Sequence, residues 1–141
     1  MDKVKVGIVG IGWWSDVLAA VIEKSDALEL RAGYSRSGDK TAAFAERFQC
    51  EAAVSYEAML AMEDLDGIIL TTPNSAHRQG AEAALAAGKH VFVEKPISNT
   101  LEDGQAMIAA ADKAGKVLAV GHSYRRHGAN GRPPKIGRAH V

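Results

Sequence analysis

The chain has 141 residues, of which 47% are hydrophobic and 24% are charged, and its formal net charge is zero. This balance is typical of a soluble globular domain and excludes the basic surface of a nucleic-acid-binding protein. The apolar runs are too short for a membrane span or a signal peptide, and the single cysteine, Cys50, has no internal disulfide partner. We therefore expect a cytoplasmic protein that binds neither membranes nor nucleic acid.

Strand and helix patterns alternate along the chain. A strand at 3–9 is followed by a helix at 17–24, a strand at 28–34, a helix at 41–48, a short strand at 52–54, a short helix at 56–62 and a strand at 67–70. Next come a helix capped by Ser75 that ends at Gly88, a strand at 90–93, a helix from the Thr100–Asp103 capping box to Gly115 and a strand at 117–120. This order predicts an α/β fold with a doubly wound parallel sheet.

A glycine turn lies between the first strand and the first helix. Its sequence, Gly10-Ile-Gly12-Trp-Trp-Ser15, has the G-x-G-x-x-S spacing of the dinucleotide fingerprint. Gly10 would allow the tight turn, Gly12 would let a pyrophosphate approach the backbone, and Ser15 is small enough for close helix–strand packing. The helix N-terminus would supply free amides to the phosphates. A glycine turn of a flavodoxin-like or methyltransferase domain is the alternative.

Two bulky side chains, Trp13 and Trp14, occupy the unconstrained positions of this turn. Both are candidate cofactor-binding residues, since their backbone amides would face the phosphates. One indole is expected to line the opening of the cofactor or substrate site, and the other is expected to pack under the helix. The alternative is packing at the domain edge alone, which we favour for Trp14. Asp16 suits the helix dipole but not a nearby phosphate, so its side chain is expected to point away.

The end of the second strand bears on the choice of cofactor. An acidic residue there binds the ribose 2′-hydroxyl in NAD-binding domains, but this chain has Ser35-Arg36-Ser37. Arg36 can pair with a 2′-phosphate, and Ser35 can donate a hydrogen bond. The sequence therefore favours NADP over NAD. In the alternative, Arg36 is solvated and Asp39 binds the ribose.

Three later stretches carry a more specific signal. They are Thr71-Thr-Pro-Asn-Ser-Ala-His77, Gly88-Lys-His-Val-Phe-Val-Glu-Lys-Pro96 and Gly121-His-Ser-Tyr-Arg-Arg126. Together with the glycine turn, they resemble the glucose–fructose oxidoreductase / inositol dehydrogenase / rhizopine-catabolism (Gfo/Idh/MocA) family from Lys3 to Asn130. The resemblance implies an NAD(P)-binding Rossmann domain, with the family's C-terminal α/β substrate domain missing from this chain. A homo-oligomer is implied for the full-length protein, because that second domain also serves oligomerisation.

The same resemblance implies an activity and roles for individual residues. The activity is NAD(P)-dependent oxidation or reduction of a CH–OH or C=O group in a small molecule such as a sugar or cyclitol; a non-catalytic sensor of dinucleotide and sugar is the alternative. Lys95 would be catalytic, because an ammonium beside the reacting oxygen can stabilise charge or relay a proton. Pro96 is a candidate for a cis peptide bond. The implied cofactor-binding residues are Thr72, Pro73, Asn74, His77, Glu94, Lys95, Tyr124 and Arg125, and no metal ligand is implied.

The last eleven residues do not fit the family pattern. Pro133 and Pro134 would break the helix with which family members continue, and Ile-Gly-Arg-Ala-His-Val can be read as a translated sequencing-library adapter. We expect residues 1–130 to form the NAD(P)-binding domain and residues 131–141 to be a non-native or truncated, disordered tail. A genuine short basic tail or a frameshift is the alternative. The fragment alone is expected to be inactive, because the family's catalytic histidine or aspartate usually comes from the second domain.

Overall fold

The structure, a computed structural model, describes residues 2–122. The expectations for Tyr124, Arg125 and the tail at 131–141 lie outside these residues, and the domain boundary at 130 stays a prediction. The elements in chain order are β1 (Val4–Val9), α1 (Trp13–Glu23), β2 (Leu28–Tyr34), α2 (Gly38–Phe48), β3 (Glu51–Ala52), α3 (Tyr56–Leu60), β4 (Gly67–Leu70), a 3₁₀ helix (Asn74–Ala76), α4 (His77–Ala86), β5 (His90–Glu94), α5 (Leu101–Ala114) and β6 (Leu118–Gly121).

The six strands form one parallel sheet in the order β3-β2-β1-β4-β5-β6. Residues of α1 and α2 pack with Val6 and Ile8 on one face of the sheet, and residues of α4 and α5 pack with Leu70 and Val93 on the other. The predicted doubly wound α/β fold is therefore confirmed. The strand order reverses between β1 and β4, and ligands of such sheets bind outside the carboxyl ends of the strands at this switch point.

Several helix boundaries depart from the predictions. Helix α2 begins at Gly38 rather than at residue 41, and α3 ends at Leu60 rather than at residue 62. Helix α1 begins at Trp13 rather than at residue 17, because Gly12 already serves as its N-cap. Ser75 is not an N-cap, because the backbone after Pro73 winds at once into the 3₁₀ turn, where the Ala76 amide donates to the Pro73 carbonyl at 2.9 Å. The predicted cap of α5 is confirmed, since Thr100 Oγ1 accepts from the Asp103 amide at 3.1 Å. From residue 2 to residue 122, the longest apolar helix falls short of what a membrane span requires.

Candidate functional site

A cavity of about 500 Å³ opens at the carboxyl edge of the sheet beside the switch point. The start of α1 forms one wall, and the ends of β4, β5 and β6 form the rest. Its lining residues are Trp13, Trp14, Leu18, Thr71, Thr72, Phe92, Glu94, Lys95, Gly121 and His122. The structure thus brings together five residues predicted for the site, namely Trp13, Trp14, Thr72, Glu94 and Lys95.

Gly10 makes the sharp turn after β1, with a φ of +92° that side chains rarely adopt. A Cβ at this position would lie 2.8 Å from the Thr71 carbonyl carbon and 2.8 Å from the Thr72 nitrogen. The Thr71 hydroxyl lies 2.5 Å from the Gly10 carbonyl oxygen and 3.1 Å from that of Val9, and it donates to this pair. The glycine turn is therefore packed and hydrogen-bonded against the end of β4.

Gly12, unlike Gly10, faces open space, because no heavy atom lies within 4 Å of the position that its Cβ would occupy. Its backbone is extended, and the turn below it is closed by the buried Ser15. The Ser15 hydroxyl accepts from the Gly12 amide at 2.9 Å and donates to the Gly12 carbonyl at 2.8 Å. Asp16 pairs with Arg47 of α2 at 3.1 Å, which confirms that its carboxylate is directed elsewhere.

The two tryptophans both border the cavity. Trp13 is 77% exposed and Trp14 is 39% exposed, and their ring centroids are 5.5 Å apart. Both residues lie in the first turn of α1, where Trp13 is largely exposed and more than half of Trp14 is covered. Trp14 therefore packs in part, as expected, but it also borders the cavity. With Leu18 and Phe92, the two tryptophans give the cavity an apolar wall.

The cavity also has polar lining residues. Thr72 Oγ1 is buried and has no hydrogen-bond partner among residues 2–122, so a polar ligand atom would satisfy it. The Glu94 carboxylate lies close above Gly121, where a Cβ would meet Glu94 Oε1 at 2.9 Å. Lys95 is exposed at the rim, and its peptide bond to Pro96 is cis, as predicted.

The turn after β2 lies outside the cavity but next to the glycine turn, since the Gly10 amide donates to the Tyr34 carbonyl at 2.9 Å. The Ser35 hydroxyl donates to the Ser37 carbonyl at 3.0 Å, and Ser37 Oγ caps α2 by accepting from the Lys40 amide at 3.3 Å. Both serine hydroxyls therefore take part in the turn itself, and the role of Ser35 in cofactor binding stays a prediction. Arg36 is exposed.

Of the predicted site residues after β4, two lie at the surface and one is buried. Pro73 and Asn74 are exposed and do not line the cavity. His77 is only 1% exposed, with Nε2 3.1 Å from the Thr72 carbonyl oxygen and Nδ1 3.0 Å from that of Pro96. The interpretation of His77 as a direct cofactor contact is therefore corrected, because its ring is turned into the protein and surrounded by backbone carbonyls.

Five lining residues were missed by the sequence analysis as site candidates. They are Leu18, Thr71, Phe92, Gly121 and His122. Three of them, Thr71, Gly121 and His122, lie at or just beyond the carboxyl ends of strands, a position that marks the binding edge of a parallel sheet. Phe92 lies in the middle of β5 and Leu18 lies within α1, so neither carries that signal.

The fold and the family pattern agree with comparisons to known proteins. The Gfo/Idh/MocA family model, described as an oxidoreductase family with an NAD-binding Rossmann fold, matches residues 4–122. A dTDP-3,4-didehydro-2,6-dideoxy-alpha-D-glucose 3-reductase from Saccharopolyspora spinosa is 31% identical over 127 residues, which cover 89% of this chain and 38% of that protein.

Two solved structures show the same arrangement. A 3-ketoreductase from Actinomadura kijaniata, in complex with TDP-benzene and NADP, is 28% identical with a TM-score of 0.84, covering 92% of this chain and 41% of the other. A protein from gentamicin A biosynthesis, in complex with NAD, is 29% identical with a TM-score of 0.82, covering 86% of this chain and 35% of the other.

The chain spans about two fifths of the length of these proteins. Within that length, the family match includes the glycine turn, the segment after β4 and the Glu-Lys-Pro stretch that together border the cavity. The chain therefore belongs to the Gfo/Idh/MocA oxidoreductase family, of which it carries the NAD-binding Rossmann domain.

Proposed function

We propose that the full-length protein is an NAD(P)-dependent oxidoreductase that interconverts a CH–OH and a C=O group in a sugar, cyclitol or related compound. The observation that carries this proposal is the cavity in which Lys95 lies with Glu94, Thr72 and the start of α1. The sugar-nucleotide reductase among the relatives supports the substrate class. A small-molecule substrate fits the cavity, and a homo-oligomer is proposed from the family resemblance alone.

The residues around the glycine turn fit a nicotinamide dinucleotide. The open space in front of Gly12 suits a pyrophosphate, and the partnerless Thr72 hydroxyl suits a polar group of the ligand. Gly10, Gly12, Trp13 and Trp14 would bind the phosphates through the turn and helix start. Thr72, Pro73 and Asn74, together with Tyr124 and Arg125, are proposed for the remaining contacts. The bound dinucleotide would supply or accept the hydride.

Lys95 and Glu94 are proposed for the reacting end. The Lys95 ammonium would donate a hydrogen bond to the substrate oxygen as negative charge develops on it. Glu94, held over Gly121, would accept from a hydroxyl of the nicotinamide ribose. Lys95 would therefore act on the substrate, and Glu94 would hold the cofactor.

Intrinsic fluorescence provides a direct binding assay. Trp13 and Trp14 are the only tryptophans of the chain, and both border the cavity. We expect NADPH to quench the tryptophan emission saturably, because reduced nicotinamide absorbs in the range where indole emits. Titration of the 141-residue chain with NADPH, corrected for absorption by free ligand, measures the dissociation constant.

The variants Trp13→Phe and Trp14→Phe identify which indole reports binding. Each leaves a single tryptophan at the cavity, so each should retain part of the quenching. A wild-type chain whose corrected emission does not change with either NADPH or NADH would contradict the proposed site.

NADP is the proposed preference, since Arg36 is exposed beside the glycine turn and can reach a 2′-phosphate. The A. kijaniata structure with NADP supports this choice, whereas the gentamicin-pathway structure with NAD supports the alternative. Arg36→Ala should weaken NADPH binding by about 1–3 kcal/mol, the scale of a charge-assisted hydrogen bond. Calorimetry at fixed salt concentration measures the change.

NADH is the internal control for this variant, because it lacks the 2′-phosphate. Its affinity should be the same in Arg36→Ala and in the wild type. Tighter binding of NADH than of NADPH to the wild type would reject the NADP preference and favour Asp39 as the ribose ligand.

A further inference from the structure

His77 bridges two loops that border the cavity. Its Nε2 faces the Thr72 carbonyl oxygen at 3.1 Å, at the end of β4. Its Nδ1 faces the carbonyl oxygens of Pro96 at 3.0 Å and Ile97 at 3.3 Å, directly after β5. The ring is buried and is the first residue of α4, so one side chain contacts both loops at the base of the site.

This bridge continues a second link in the same loop. The Thr71 hydroxyl donates to the carbonyls of Val9 and Gly10 and thereby holds the end of β4 against the glycine turn. Thr71 and His77 therefore connect the loops after β1, β4 and β5 in series. The pairing of β4 with β1 and β5 ends at Leu70, and the pairing of β5 with β6 ends at Glu94. Beyond the paired positions, the Thr71 amide adds one backbone hydrogen bond to the Val9 carbonyl at 2.9 Å.

We propose that His77 is a positioning residue that sets the distance between Thr72 and Lys95 across the cavity. The inference rests on the proposed function of that cavity. Thr72 lies on the loop bonded to Nε2, and Lys95 immediately precedes the proline whose carbonyl faces Nδ1. A side chain without N–H groups would leave the Thr72 and Pro96 carbonyls without this donor and would let the two loops move independently. Donation to both carbonyls at once requires the imidazolium form, because a neutral ring carries a single N–H.

Three variants of His77 remove its contacts to the β4 loop and the β5 loop separately or together. Gln places its amide nitrogen near the position of Nε2, and Asn places its amide nitrogen near that of Nδ1. His77→Gln should therefore keep the contact to the β4 loop, His77→Asn should keep the contact to the β5 loop, and His77→Leu should keep neither. Tyr56→Phe is the matched control, since Tyr56 donates a single partly buried hydrogen bond to the Gly80 carbonyl of α4 at 2.6 Å and does not line the cavity.

Amide hydrogen exchange of the ligand-free chain tests the bridge itself. We expect faster exchange in residues 95–99 of His77→Gln, in residues 71–76 of His77→Asn and in both segments of His77→Leu, with no change in either segment of Tyr56→Phe. Because each variant removes a different end, the Gln and Asn variants decide the question even if His77→Leu fails to fold.

NADPH titration tests the consequence for the site. The NADPH dissociation constant should rise about tenfold in His77→Gln and His77→Asn. It should stay unchanged in Tyr56→Phe, even where this control loses as much thermal stability as the His77 variants. Exchange that rises equally in both segments of every variant, or wild-type NADPH affinity in the Gln and Asn variants, overturns the positioning role. If the wild type binds neither NADPH nor NADH, the proposed function falls, and the exchange pattern alone then decides whether His77 couples the loops.

Discussion

Replacing Lys95 with methionine should lower the kcat of the proposed full-length oxidoreductase by a factor on the order of 100, the contribution of one positioned proton-transfer group. The expectation follows from the position of Lys95 at the cavity rim, next to Glu94. Methionine keeps the length of the side chain and removes its charge and its donors. Cofactor affinity should be preserved, since the proposed phosphate contacts lie at the glycine turn.

The measurement combines two assays of the full-length protein. Steady-state kinetics with a sugar or cyclitol substrate, identified by a screen for NADPH turnover, gives kcat, and fluorescence titration gives the NADPH dissociation constant. Lys113→Met in the last turn of α5 is the matched control, because it removes an exposed lysine far from the cavity. Near-normal turnover of Lys95→Met would refute the catalytic assignment. A wild-type protein that binds NADPH and sugar without turnover would favour the sensor alternative.

A side chain added at Gly12 should impair cofactor binding, whereas a side chain added at Gly10 should lower the stability of the fold. Gly12→Val should raise the NADPH dissociation constant at least roughly 100-fold, because the added methyl groups would occupy the open space proposed for the pyrophosphate. Stability should fall by no more than about 1 kcal/mol, the scale of an unfavourable N-cap. The extended backbone at Gly12 accepts a branched side chain without strain.

Gly10→Ala should instead destabilise the fold by about 3 kcal/mol. Its Cβ would require an unfavourable positive φ and would approach the backbone of Thr71 and Thr72 to 2.8 Å. Thermal unfolding of the 141-residue chain measures stability, and tryptophan quenching measures binding. Each glycine variant is thus the control for the other. Unchanged NADPH affinity in a folded Gly12→Val variant would place the pyrophosphate elsewhere.

The fold was predictable because its signals are local. The apolar runs of β1, β4 and β5 are buried at most positions, and the caps at Thr100 and Gly115 mark both ends of α5. The predicted start of α1 was late because tryptophans are weak indicators of a helix start, whereas Gly12 and Ser15 form the cap through a backbone-dependent contact. Ser75 has the right chemistry for a cap, but the backbone geometry after Pro73 overrides it.

The site was predictable only in part, because the family motif identifies positions and not the directions of side chains. Glu94, Lys95 and Thr72 meet at the cavity as the resemblance implied. His77 belongs to the same motif, yet its ring is buried between two loops that are distant in sequence. The burial of one histidine and the exposure of Trp13 depend on tertiary packing, which no local pattern encodes.

The reversal of strand order between β1 and β4 divides the domain into two modules with separate tasks. Residues proposed to recognise the 2′-phosphate lie at the end of β2, and residues proposed for the chemistry lie after β5. Between the two halves, β1 and β4 pair at four positions, from Val6–Gly67 to Val9–Leu70. The hydrogen bonds of Thr71 to Gly10 and of Tyr56 to Gly80 add further links. Recombination between family members within residues 61–66 would therefore exchange cofactor preference while retaining the reacting end, so that the two properties can evolve independently.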